Sequence, residues 1–136
     1  VKCRRAIERA LPTGWHVRVE TPVRIPARDS MPETDVSVAG GEADDYQDRD
    51  PGPEDLALVV EVSDATLAAD RALTATYLGG GVPVYWVVNV ADRQLEVYTR
   101  ERESPTILDE HASADLILDG TIAARIGVAD LLPRAG

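Results

Sequence analysis

Residues 56–62 read Leu-Ala-Leu-Val-Val-Glu-Val, six apolar residues around one carboxylate, Glu61. A strand buried on both faces reads as a nearly unbroken aliphatic run. A carboxylate inside such a run is costly to bury unless something pairs with it. From this stretch alone, three partners stay open for Glu61: a metal ion, a basic side chain, or water at the strand's end. Alternation puts Ala57, Val59, Glu61 and Ser63 on one face and Leu58, Val60 and Val62 on the other.

Downstream, Asp64 or Asp70 can cap a helix running to Leu78, because Asp accepts the free N–H groups of a first turn. Gly79-Gly80-Gly81 ends that helix, and Val-Tyr-Trp-Val-Val-Asn-Val (84–90) forms a second buried strand. A strand–helix–strand crossover of this length implies a parallel pair inside a mixed sheet. Residues 94–99 alternate again and make a hairpin with the second strand. Weaker strands follow near 106–108, 115–118 and 121–126, then a short apolar turn at 128–132. Upstream, residues 2–11 carry Cys3, Ala6, Ile7, Ala10 and Leu11 at helical spacing, and Pro12-Thr13-Gly14 stops that helix. Residues 15–25 alternate as a half-buried strand interrupted at Pro22, and residues 34–39 form a further short strand. Residues 40–55 hold seven carboxylates against one arginine and read as an acidic loop with no apolar face to bury. Their spacing does not fit an EF-hand. The sum is one α/β domain with a central mixed sheet flanked by helices.

Composition narrows the function. The chain has 136 residues, 44% apolar but only 4% aromatic, so its core rests on Val, Leu, Ile and Ala. Cys3 is the single cysteine, which points to a reducing cytoplasm, and no apolar run is long enough to span a membrane. The net charge of −10 disfavours phosphate-backbone binding over the surface as a whole. Residues 1–28, however, hold seven basic groups against Glu8 and Glu20, so a local basic face for DNA is conceivable on charge alone. His16 and His111 lack a third ligand, and Cys3 has no base partner.

Asp35 and Glu61 each stand in a short strand with a serine two residues on. If the two strands are neighbours, the carboxylates converge. Two carboxylates plus a backbone carbonyl, that of Val62, leave room for the waters Mg²⁺ keeps. Such a site activates water and neutralises charge on a phosphodiester. The alternative is that both acids are polar strand ends.

The motifs Pro-Gly-Pro-Glu-Asp-Leu-Ala-Leu-Val-Val-Glu-Val-Ser-Asp (51–64), Asp70-Arg71, Gly-Val-Pro-Val-Tyr-Trp-Val-Val-Asn (81–89) and Leu-Glu-Val-Tyr (95–98) resemble, in order, the Uma-two-type restriction endonucleases. These belong to the PD-(D/E)XK nuclease group. The likeness runs from Leu11-Pro12 to Leu131-Leu132. It implies a restriction-endonuclease-like fold over residues 1–136, lacking part of the family's N-terminal helical region, as a partial version of a longer protein would. It also implies Mg²⁺- or Mn²⁺-dependent cleavage of DNA, with Asp35 and Glu61 as ligands. Asp70 itself reads as a helix cap or as the orienting partner of a basic group. Cleaving both strands with one site would need a homodimer or two encounters.

The departures from the family pattern are specific. Ser63 stands where the wider group has a lysine, and Thr74 stands at the helix position where this family usually has one. Counting back from Tyr77 gives Leu73 instead. Lys2 is the only lysine. Arg71, i, i+3 from Thr74, is the sequence's candidate for a cation near the site, though too basic to accept a proton. Gly79 and Gly80 replace helix formers at roughly 1 kcal/mol each. Two expectations follow: an endonuclease impaired at Thr74, or a catalytically silent binding or assembly module on the same fold.

Overall fold

A computed structural model describes residues 2–134. The chain runs α1 (Lys2–Ala10), β1 (Trp15–Pro22), β2 (Glu33–Gly40), β3 (Leu56–Ser63), α2 (Leu67–Ala72), α3 (Thr74–Gly79), β4 (Val84–Asn89), β5 (Gln94–Thr99), β6 (Thr106–Asp109), β7 (Ser113–Leu118) and β8 (Thr121–Gly127), with short 3₁₀ turns between. Strands β1 to β6 form one sheet in sequence order, and β7–β8 form a separate hairpin. Among the described residues only β3 and β4 pair in parallel; their crossover is α2–α3, as the spacing requires. The expected α/β fold with a mixed central sheet is present.

Two apolar layers explain the aliphatic run of β3. On one face α1 and the β7–β8 hairpin cover Val36, Leu58, Val60, Trp86 and Leu95. On the other, Val59, Tyr85 and Val87 meet Tyr77 of α3 together with Val23, Ile25 and Tyr46. In α1, Cys3, Ala6 and Ile7 fall at i, i+3 and i+4 and are buried, while Arg5, Glu8 and Arg9 face out. No described helix is long and apolar enough to cross a membrane.

Four expectations change. The helix after β3 is broken at Leu73 rather than continuous to Leu78. Neither Asp64 nor Asp70 caps it; Thr66 occupies the N-cap without a side-chain cap bond. β1 stops at Pro22, since proline cannot donate to the ladder, and Ile25 makes only an isolated bridge to Ser30. The acidic loop does bury an apolar group: Tyr46 is 8% exposed, its hydroxyl donates to the Gly40 carbonyl at 2.7 Å, and Arg18 and Arg49 lie over its ring. Arg49 also bonds Asp55 at 2.8 Å. Composition hid this because one aromatic and its cations organise an otherwise solvated segment.

The glycines after α3 have a packing reason. Gly81 has φ +108° and lets the chain turn away, with Val82 N–H donating to the Tyr77 carbonyl at 3.0 Å. A Cβ on Gly80 would collide with Cγ2 of buried Ile25 and come within 2.7 Å of the Thr76 carbonyl. A Cβ on Gly79 would meet only the mobile end of Arg28. Gly80→Ala should therefore destabilise by about 1–3 kcal/mol through overpacking. Gly79→Ala should cost far less, because Arg28 can swing away and alanine favours helix. Urea denaturation of the two variants checks the contrast, and Ile25→Ala should recover part of the Gly80→Ala loss.

Candidate active site

The register Ser37↔Val59 and Val36↔Val60 brings Asp35 beside Glu61 at the next rung. There the ladder is closed by side chains. Asp35 N–H donates to Glu61 Oε1 at 2.9 Å, and Val62 N–H donates to Asp35 Oδ2 at 2.8 Å. The Tyr77 hydroxyl donates to Glu61 Oε2 at 2.9 Å. Glu61 is only 4% exposed, yet both its oxygens are satisfied. Burial pushes its pKa up from 4.5 to about 7; the charges of Asp35 and Asp70 add to the rise, and the two donors oppose it.

Asp70 is tied to the end of β3. Its Oδ2 accepts from Ser63 and, at 2.6 Å, from Thr66, while the Tyr85 hydroxyl donates to its carbonyl at 2.6 Å. It thus clamps α2 onto the strand that carries Glu61. Tyr85 is a buried anchor rather than a surface for stacking bases. Ser37, by contrast, is buried with no partner for its hydroxyl among the described residues.

Arg71 and Thr74 do not join this group. Arg71 binds Glu96 through Nε at 2.9 Å and through Nη2. Glu96 is 1% exposed and also accepts from Tyr98 at 2.7 Å and Asn89 at 3.2 Å. Burial would raise its pKa, but these donors and the Arg71 charge prevail and lower it. The pairs Glu61↔Val87 and Val87↔Glu96 put the two acids in one row, two strands apart, about 10 Å at the usual strand spacing. The sequence expectation of Arg71 as the site's cation is therefore corrected: a buried carboxylate on β5 holds it. Glu96 escaped sequence reading because residues 94–99 read only as an alternating strand of a hairpin. The available signal was an arginine on α2 facing a strand with one carboxylate between apolar neighbours.

Thr74 donates to the Arg71 carbonyl at 2.8 Å and lies on an outer surface with Arg100 and Arg102. Leu73, the other lysine slot, packs toward Val59 and Tyr77. His16 sits against Tyr46 with Nδ1 2.9 Å from the Gly41 oxygen. Cys3 is buried, and its thiol is pushed up to about 12 by burial and then by Asp35's charge, so it is unreactive.

A cavity of about 230 Å³ opens beside Asp35, walled by Cys3, Arg4, Val19, Glu20, Asp35 and Val62. Glu20, at the rung missing between the Val19↔Val36 and Thr21↔Thr34 pairs, has φ +51°, a left-handed conformation uncommon outside glycine. Larger clefts, of about 280, 480, 540 and 570 Å³, contain neither Asp35 nor Glu61. Cavity size therefore does not single out the carboxylate pair. Among the described residues no group of three His, Cys, Asp or Glu could hold a metal ion. A pair of hard oxygen donors, one with a pKa raised partly by its neighbour's charge, nevertheless fits a cation that keeps most of its waters.

Against known proteins, residues 3–125 match the Uma2 family model, described as "Putative restriction endonuclease". The chain belongs to the Uma2 family. A solved structure, titled as a putative nuclease belonging to DUF820 from Anabaena variabilis ATCC 29413, superposes with a TM-score of 0.69 at 13% identity. The match covers 96% of this chain and 75% of that one, and at such identity it shows the shared fold. No curated protein matches. The resemblance expected from residues 51–98 is confirmed: this Uma2 chain is nuclease-like in family and in fold.

The two buried acids should oppose one another in pH dependence. Glu61 has a folded pKa above its unfolded value, so its contribution is full below pH 4.5 and is lost as pH rises through about 7. Glu96 has a lowered pKa, so its contribution is present above the ordinary glutamate range and lost as pH falls. In buffer containing a chelator, Glu61→Gln should flatten the decline toward neutral pH, and Glu96→Gln the decline on the acid side. Melting temperature measured across the acid-to-neutral range checks both.

Proposed function

We propose that this Uma2 chain is a divalent-metal-dependent endonuclease that hydrolyses DNA phosphodiester bonds. The observation that carries this is the Asp35–Glu61 pair, closed reciprocally at the end of β2–β3 in a chain of nuclease family. Asp35, Glu61 and the backbone carbonyl of Val62 would hold Mg²⁺ or Mn²⁺. Such an ion, when bound, lowers the pKa of water and offsets charge on the phosphodiester.

The chain's own residues supply the rest. The Tyr77 hydroxyl and Asp35 N–H orient the Glu61 carboxylate. Asp70, held by Ser63 and Thr66, fixes α2 against the strand end and adds negative charge near Glu61. With a pKa of about 7, Glu61 exchanges a proton near neutral pH and gains from a cation that stabilises its charged form. Cutting both strands would call for a homodimer or two encounters. The reducing cytoplasm suggested by the lone Cys3 is the compartment that suits such an enzyme.

The second reading, a catalytically silent binding or assembly module, draws support from one observation. Neither Thr74 nor Arg71 supplies a cation to the carboxylate pair.

Plasmid nicking and calorimetry separate the readings. The nuclease requires metal-dependent nicking that disappears in Asp35→Ala and Glu61→Ala, whereas the silent module cuts at no metal concentration. Tyr77→Phe, which removes the donor orienting Glu61, should weaken metal binding by about 10–100-fold. Thr74→Lys should leave nicking unchanged, because position 74 opens onto the Arg100–Arg102 surface. Nicking retained in Glu61→Ala would sink the nuclease assignment.

A further inference from the structure

The site as described is strongly negative. Asp35 stands beside Glu61 and shares a cavity with Glu20, the charge of Asp70 also reaches Glu61, and the proposed substrate is a polyanion. Arg71 is bound to Glu96, position 74 is a neutral threonine, and the Lys2 ammonium donates to the Ala129 carbonyl at 3.1 Å. Of the residues walling the cavity beside Asp35, the one cation is Arg4.

From this we infer that Arg4 of α1 is the substrate-binding residue that receives the DNA phosphate in the cavity beside Asp35, on the α1 face of the strand end that carries Glu61. The inference rests on the nuclease assignment above and names a contact that assignment leaves open. Arg4 is well placed for the task. Its neighbour Cys3 and the next-turn Ile7 are buried in the core, so the backbone beneath Arg4 is held firmly against the sheet. Its ion-pair partner among the described residues is Glu8, one helical turn on, at 3.5 Å and half exposed. That is a long, solvated contact, and the guanidinium can exchange it for a phosphate. Neither Asp35 nor Glu20 lies within ion-pair distance of Arg4, although both line the same cavity. The cavity that Arg4 shares with Asp35 therefore holds a cation that neither of its two carboxylates neutralises.

The chemistry suits a planar cation. Arginine offers paired N–H donors that match two phosphate oxygens, and its charge persists at every working pH. For the same reason it accepts no proton, so its role is to hold the phosphate rather than to activate water. The cation thus enters from α1, on the sheet face opposite the helix where family members carry their lysine.

The test is the salt dependence of binding to a fluorescein-labelled DNA duplex, with Ca²⁺ in place of Mg²⁺ so that occupancy is read without turnover. Loss of one phosphate contact lowers the slope of log affinity against log salt by about 0.9. Arg4→Gln should show that drop and a weaker affinity at every salt concentration; Arg4→Lys, which keeps the charge, should restore most of the slope. Circular dichroism and the urea midpoint of both variants should match the parent, because Arg4 is partly exposed and outside the core. A parent that binds the duplex, together with an Arg4→Gln variant of unchanged slope and affinity, would overturn the role of Arg4 while leaving the nuclease assignment standing. A parent that neither binds nor nicks DNA would overturn both.

Discussion

Everything near the candidate site depends on one hydrogen-bonded carboxylate. Glu61 is buried where β2 and β3 stop pairing through their backbones, and it accepts from Asp35 N–H and from the Tyr77 hydroxyl. A charged carboxylate in an apolar layer is expensive, so the fold surrounds it with donors and raises its pKa rather than giving it an arginine. Satisfying Glu61 also fixes its surroundings. Tyr77 sets the position of α3, and Asp70 clamps α2 to Ser63. A residue that strains a simple sheet thereby organises the two helices above it.

A second buried acid lies two strands away and meets the opposite fate. Glu96 takes the full charge of Arg71 and donors from Tyr98 and Asn89, and its pKa goes down. The row Glu61–Val87–Glu96 contains one carboxylate poised to change charge and one locked as an anion. The ring pairs Tyr77–Tyr85 and Tyr85–Tyr98, with centroids 4.9 and 5.9 Å apart, run between them. This arrangement separates a carboxylate held by an arginine from one held by neutral donors alone. It also explains why the arginine next to Asp70 in sequence pairs with neither Asp35 nor Glu61.

Much of the fold was legible in local pattern. The aliphatic runs of β3 and β4, the helical spacing of α1 and the crossover length led to a mixed sheet with one parallel pair, because burial on both faces and chain reach admit few alternatives. Helix detail was less legible. Asp64 and Asp70 looked like caps, yet Thr66 holds that position, and a break at Leu73 divides what periodicity reads as one helix. The acidic stretch after β2 looked wholly solvated, because a single Tyr46 carries no periodic signal.

For the site, the sequence by itself determined which carboxylates stand on which strands: Asp35 and Glu61 occupy defined positions in β2 and β3, and side-chain alternation follows from strand geometry alone. Only the tertiary structure decided where the nearby cations pair. Arg71 and Arg4 are 67 positions apart in the chain. Their fates depend on Glu96 lying two strands over and on α1 packing beside Asp35. Such choices are made by long-range register and by the burial of competing charges, and neither is written in the neighbourhood of the residue itself.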